Sequence, residues 1–120
     1  MGNKIRIMLV DDHPAIQQGL STIFNLQTDI EIVGQASDGE AAVRMAPELL
    51  PDVILMDINM PNMNGIEATK IIHSELPHIR IIGMSMYDDQ GVAMTDSGAL
   101  AFHWKGEDTA LLLDMIRHKS

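Results

Sequence analysis

The stretch Pro51-Asp52-Val53-Ile54-Leu55-Met56-Asp57, followed by Ile58-Asn59-Met60-Pro61-Asn62-Met63-Asn64-Gly65, decides the fold. Four apolar residues in a row, introduced by Pro51-Asp52, read as a strand buried on both faces. The Pro, Asn and Gly that follow read as a loop. A strand of this kind belongs in a parallel sheet covered by helices. An acid at its carboxyl end sits where such sheets bind their ligands. An aspartate that merely opens a turn would look the same, so the rest of the chain must decide between the two.

Outward from this strand, the pattern alternates strand and helix. Residues 4–10 form a β-branched run ending at Asp11-Asp12. Residues 13–27 carry Pro14 in a first turn and Ile16, Leu20, Ile23 and Phe24 at helical spacing. Residues 30–36 read as a strand. Asp38 caps a helix with Ala41, Ala42, Val43 and Met45, whose last turn Pro47 distorts or ends. A helix runs from Asn64 or Gly65 to about Leu76. Residues 79–84 and 100–104 are the fourth and fifth strands. Residues 107–117 close the chain with Leu111, Leu112, Met115 and Ile116 facing inward. Between Ser85 and Ala99 the chain is polar and carries Gly91, which predicts a short or mobile helix. Short connections and right-handed crossovers then give an α/β fold: one five-stranded parallel sheet with helices on both faces.

Composition sets limits on function. The chain has 120 residues, enough for one sizeable core and too few for two. With 46% hydrophobic residues it is globular in composition. No stretch is apolar enough to span a bilayer, and residues 1–4 lead directly into a strand without a signal peptide. Cysteine is absent, which excludes disulfides and suits a cytoplasmic location. A net charge of −9 argues against a nucleic-acid surface in these residues, since such surfaces are basic. Most of the ten Met residues are expected in the core, Met8 and Met56 among them.

The strand ends carry the chemistry. The first strand leads into Asp11-Asp12, the third ends in Asp57, the fourth in Ser85 and the fifth in Lys105. In a parallel sheet these ends share one edge. Carboxylates packed together repel unless a cation holds them. All-oxygen ligands favour Mg²⁺, bound by one or two carboxylates together with a phosphate. Lys105 adds a point positive charge and Ser85 a hydroxyl donor. Such a set suits phosphoryl transfer, with Asp57 as the carboxylate nucleophile. The histidines His13, His73, His78, His103 and His118 have no metal-ligand spacing, and His13 reads as a structural neighbour of the site.

At these residues the chain resembles the receiver domains of two-component response regulators over almost its whole length. The resemblance rests on Val10-Asp11-Asp12-His13-Pro14, on residues 51–61, on Asn64-Gly65-Ile66-Glu67-Ala68-Thr69, on Ile82-Gly83-Met84-Ser85, and on Gly98-Ala99 leading to Phe102 and Lys105. Asp-Asp-His-Pro and Gly-Met-Ser-Met are most similar to regulators with a LuxR-type helix-turn-helix output. The resemblance implies a flavodoxin-like sheet with strand order 2-1-3-4-5. It implies that Asp57 takes a phosphoryl group from a sensor histidine kinase or phosphotransfer protein. It further implies that Asp12, Asp57 and the Asn59 carbonyl bind Mg²⁺, with Asp11 acting mainly through water, and that Lys105 pairs with the carboxylate and then the phosphoryl group. Ser85 and Phe102 are the implied switch residues, coupled to a surface used for dimerisation or output, and Asn59 and Tyr87 the implied tuning positions. DNA would be reached only through an output domain outside residues 1–120, making this an excised domain.

Several positions depart from the family pattern. Phe102 lacks a hydroxyl, Ser85 lacks the methyl of Thr, and Gly106 stands where Pro is common. His103 and Trp104 replace aliphatic residues, Trp104 as a core residue or interface anchor. Three other functions compete with a phosphoacceptor. A Mg²⁺-dependent phosphohydrolase wants a second acid two residues after Asp57, where Asn59 stands. A binding module without phosphorylation is hard to reconcile with the intact set Asp11, Asp12, Asp57, Ser85 and Lys105. A flavin-type carrier lacks a Gly-rich phosphate loop after the first strand.

Overall fold

The computed structural model describes residues 3–86, 91–105 and 108–118. Its elements alternate throughout: β1 (Ile5–Val10), α1 (Pro14–Asn25), β2 (Ile30–Ala36), α2 (Gly39–Leu49), β3 (Val53–Asp57), α3 (Gly65–Glu75), β4 (Arg80–Ser85), α4 (Gly91–Asp96), β5 (Ala101–Trp104) and α5 (Thr109–Arg117). The sheet is parallel with order β2-β1-β3-β4-β5. The expected architecture and strand order are both present.

The period-two alternation of the central strands builds two cores. Met8, Val10, Ile54, Met56 and Ile81 face Ala42, Ala46, Ala68, Ile72 and Met94 of α2, α3 and α4. Ile7, Leu9, Leu55, Ile82 and Met84 face Phe24 of α1 and Leu112 and Ile116 of α5. Since β1, β3 and β4 have neighbours on both sides and helices on both faces, their apolar runs are continuous. Met8, Met56, Met84 and Met94 are fully buried, as expected of core methionines, while Met86 is exposed.

Pro47 lies in the last turn of α2, which ends two residues later at Leu49. The Arg6 guanidinium donates to the carbonyls of Leu49 and Leu50 at 2.9 and 2.8 Å, replacing backbone donors at that helix end. Two local expectations need correction. Leu111 is exposed, because only one stripe of a helix can face the sheet and Leu112 and Ile116, four apart, occupy it. Trp104 is 40% exposed and therefore not a core residue. Helix α4 is short, six residues, and Met94 is its one buried side chain. Among the described residues no helix is long and apolar enough to cross a membrane.

Candidate functional site

Local bonding fixes each acid at the carboxyl edge of the sheet. Asp11 continues β1 with its N–H on the Ala36 carbonyl, and the Gln17 amide donates to both the Asp11 and Ala36 carbonyls at 2.6 and 2.7 Å. The next turn is closed by the His13 N–H donating to Asp11 Oδ1 at 2.8 Å. Asp57 ends β3, and the following Ile58 N–H bonds to the Met84 carbonyl of β4. Gly65 opens α3 so close beneath this turn that a Cβ there would run into the Asp57 carbonyl. The loop between them is tied to α2: the Gly39 N–H bonds to the Met63 carbonyl. Asn62, in the left-handed region, donates to Asp38, whose other oxygen caps α2.

Lys105 reaches this cluster from the far side. Its N–H donates to the Ser85 carbonyl at 2.8 Å, which anchors the end of β5 to the end of β4. Its Nζ then lies between two acids, 2.8 Å from Asp11 Oδ2 and 3.1 Å from Asp57 Oδ1. Asp57 is only 2% exposed, and its Oδ2 has no hydrogen-bond partner among the described residues. Burial pushes the Asp57 carboxyl up to about 6, the Asp11 charge pushes the same way, and Lys105 opposes both. His13 Nδ1 lies 2.9 Å from Asp11 Oδ1 and 3.1 Å from Asp12 Oδ1. The hydrogen bond to Asp11, and then the charge of Asp12, raise its pKa.

Asp11, Asp12, His13 and Asp57 each offer a ligand atom, all within 4.8 Å of one another, so the cluster can hold a metal ion. Three carboxylates face one ammonium there, leaving two negative charges in excess. The donor set suits a hard divalent cation: Asp57 Oδ2 is unpartnered, and Asp12 Oδ1 lies beside the His13 ring outside hydrogen-bonding geometry. Both Asp11 oxygens are already engaged, one by Lys105 and one by His13.

The other anticipated residues are more dispersed. Ser85 is fully buried at the end of β4, one residue beyond Met84, the partner of Asp57 in the sheet register. Asn59 is exposed in the loop two residues after Asp57. Phe102 is half-buried on β5 and its ring lies against Gly91 at the start of α4. Tyr87 and Gly106 lie outside the described residues. His13 fits its structural reading through its N–H, yet its ring also borders the cluster. Gln17 was not anticipated. Nothing in the sequence marks it, because its two acceptors are carbonyls on separate strands.

Residues 7–117 match the family described as response regulator receiver domain. The chain is 45% identical over 118 residues to the transcriptional regulatory protein LiaR of Bacillus subtilis (strain 168), covering 97% of this chain and 56% of that protein. It is 35% identical over 117 residues to the transcriptional regulatory protein DegU of Brevibacillus brevis, covering 96% of this chain and 50% of that protein. The chain thus spans about half the length of these curated relatives. Among solved structures, the response regulator domain of Thermotoga maritima CheB superposes with a TM-score of 0.88 at 38% identity, covering 96% of this chain and 95% of that one. A LuxR-family two-component response regulator from Aurantimonas sp. SI85-9A1 superposes with a TM-score of 0.87 at 33% identity, covering 95% and 83%.

Proposed function

The chain belongs to the family of response regulator receiver domains, and we propose that within it Asp57 accepts a phosphoryl group from a phosphohistidine on a sensor histidine kinase or phosphotransfer protein. The observation that carries this reading is the pairing of Asp57: Lys105 engages one oxygen, and the other has no partner among the described residues. The free carboxylate oxygen attacks phosphorus as the phosphorus–nitrogen bond of the donor breaks. The bonding pair returns to the imidazole, which leaves neutral because its other ring nitrogen keeps its proton. An acyl phosphate remains on Asp57. Lys105, held by its backbone to Ser85, turns toward the incoming phosphoryl oxygens.

Mg²⁺ would be held by Asp12 and Asp57 with the Asn59 carbonyl, while Asp11 reaches it through water; it would offset the charge gathering on the transferring oxygens. The engagement of both Asp11 oxygens supports that indirect role. Ser85 donates its hydroxyl to the phosphoryl group, and Asn59 and Tyr87 tune its lifetime. The domain catalyses its own modification and its reversal rather than turning over a substrate. The output is transcription control in the cytoplasm, through a switched surface that controls dimerisation or a DNA-binding output domain.

Incubation with Mg²⁺ and acetyl phosphate is expected to add one phosphoryl mass to the chain, lost in Asp57→Asn. No mass gain under conditions that label a control receiver would sink the reading.

A further inference from the structure

Strand β5 ends in Phe102-His103-Trp104, Lys105 follows at once, and these side chains tie the strand end to different parts of the molecule. Phe102 packs on the first residue of α4 and has no polar atom with which to hold anything else. Lys105 reaches Asp11 and Asp57. Trp104 stands opposite Ser85 in the β4–β5 register, and this is the last pair of the ladder. Its indole Nε1–H donates to the carbonyl of Met86 at 2.9 Å, one residue past the end of β4.

Two successive carbonyls, of the last residue of β4 and the one after it, are therefore held by the last residue of β5 and the one after it. The Lys105 N–H takes Ser85 and the Trp104 indole takes Met86. An indole nitrogen can only donate, so the contact has a single orientation. A carbonyl beyond a strand end ordinarily meets water, and here a large, part-exposed ring has replaced it.

We propose that Trp104 is a positioning residue that passes the state of Asp57 to the chain leaving β4, through its hydrogen bond to Met86. The proposal rests on the phosphoacceptor reading. Drawing the Ser85 hydroxyl toward a phosphorylated Asp57 shifts the backbone at Ser85, and Met86, the next residue, carries its carbonyl in the following peptide with it. A hydrogen bond is lost once its heavy atoms part beyond about 3.5 Å. The tie therefore has two states, indole held or indole released to the solvent it already meets. This gives the aromatic end of β5 a polar signal that Phe102 lacks.

Trp104 is the single tryptophan of the chain, so its fluorescence reports on it alone. Labelling of the wild-type chain with acetyl phosphate and Mg²⁺ is expected to change the indole emission, with no change in Asp57→Asn treated identically. Trp104→Phe, which keeps an aromatic ring and removes the N–H, is expected to label as fast as wild type. Amide exchange in residues 91–96 of the unlabelled variant should rise roughly fivefold, the factor that one net hydrogen bond contributes. The exchange difference between labelled and unlabelled chains should disappear in that variant. Full labelling by intact mass with unchanged wild-type emission would overturn the proposal alone, as would a Trp104→Phe chain that keeps its labelling-dependent exchange. Absence of labelling in the wild type would overturn the phosphoacceptor reading as well. The emission measurement stands whether or not the variant folds.

Discussion

Asp57 is held in a setting that disfavours its own charge. Burial and the Asp11 carboxylate raise it from the ordinary 3.8 to about 6, against the pull of Lys105. Well below pH 3.8 the folded and unfolded chains both keep the proton. As pH rises toward 6 the unfolded chain releases it first, so stability falls across that window and stays lower above it. A shift of this size corresponds to a loss on the order of 2–3 kcal/mol. Asp57→Asn keeps the shape and removes the charge, so in chelator-treated buffer at pH 7.5 it is expected to be more stable than wild type by about 1–3 kcal/mol. The gain should vanish near pH 4. Urea melts at the two pH values test this, and a variant less stable than wild type at pH 7.5 would show that the Lys105 pairing outweighs burial.

At the scale of elements, the site depends on how closely helices approach strand ends. Gly65 lets α3 start against the Asp57 carbonyl, and its N–H bonds to Ile58. Gly65→Ala must push the two apart, since the obstructing atoms are backbone and cannot rotate away. Overpacking of this kind costs about 1–3 kcal/mol, and the displaced Asp57 turn should also slow labelling; a melt and a labelling time course on the same sample check both. Helix α4 depends on a different kind of contact. Met94 fills the space over Gly83 on β4 and accepts the Thr69 hydroxyl on its sulfur at 3.7 Å. As the one buried side chain of a six-residue helix, it holds α4 nearly alone. Met94→Ala is expected to lower global stability by about 2–4 kcal/mol, since the cavity cannot collapse around a glycine. Amide exchange should rise first and most in residues 91–96, and uniform loosening of all five helices would contradict the assignment.

For the whole molecule, the excess negative charge at the carboxyl edge makes stability depend on divalent cations. A cation that binds only the folded chain stabilises it by about 2.7 kcal/mol at a concentration one hundred times its Kd. Thermal melts are therefore expected to rise with added Mg²⁺ in the wild type, and to respond much less in Asp12→Asn, which removes an acid without touching Lys105. An equal response in both would place the cation elsewhere. Much of this architecture was legible in residue order, because a parallel sheet with covered faces turns each strand into an apolar run and each crossover into a helical period. The acids and Lys105 were legible for a related reason, since polar residues at the ends of buried strands have one shared edge to occupy. What escaped sequence reading were contacts between residues far apart in the chain. The Arg6 guanidinium that bonds the last carbonyls of α2 does so across more than forty residues. Gln17 bonds two carbonyls on neighbouring strands, and Leu111 points outward although it adjoins Leu112. The sequence by itself determined the succession of elements, the family and the acids gathered at one edge, because periodicity and strand-end chemistry are local properties. Only the tertiary structure decided that Lys105 sits between Asp11 and Asp57, that one Asp57 oxygen has no partner among the described residues, and that Trp104 reaches past β4 to Met86. Those outcomes depend on distances between strands, which the order of residues along any one strand does not contain.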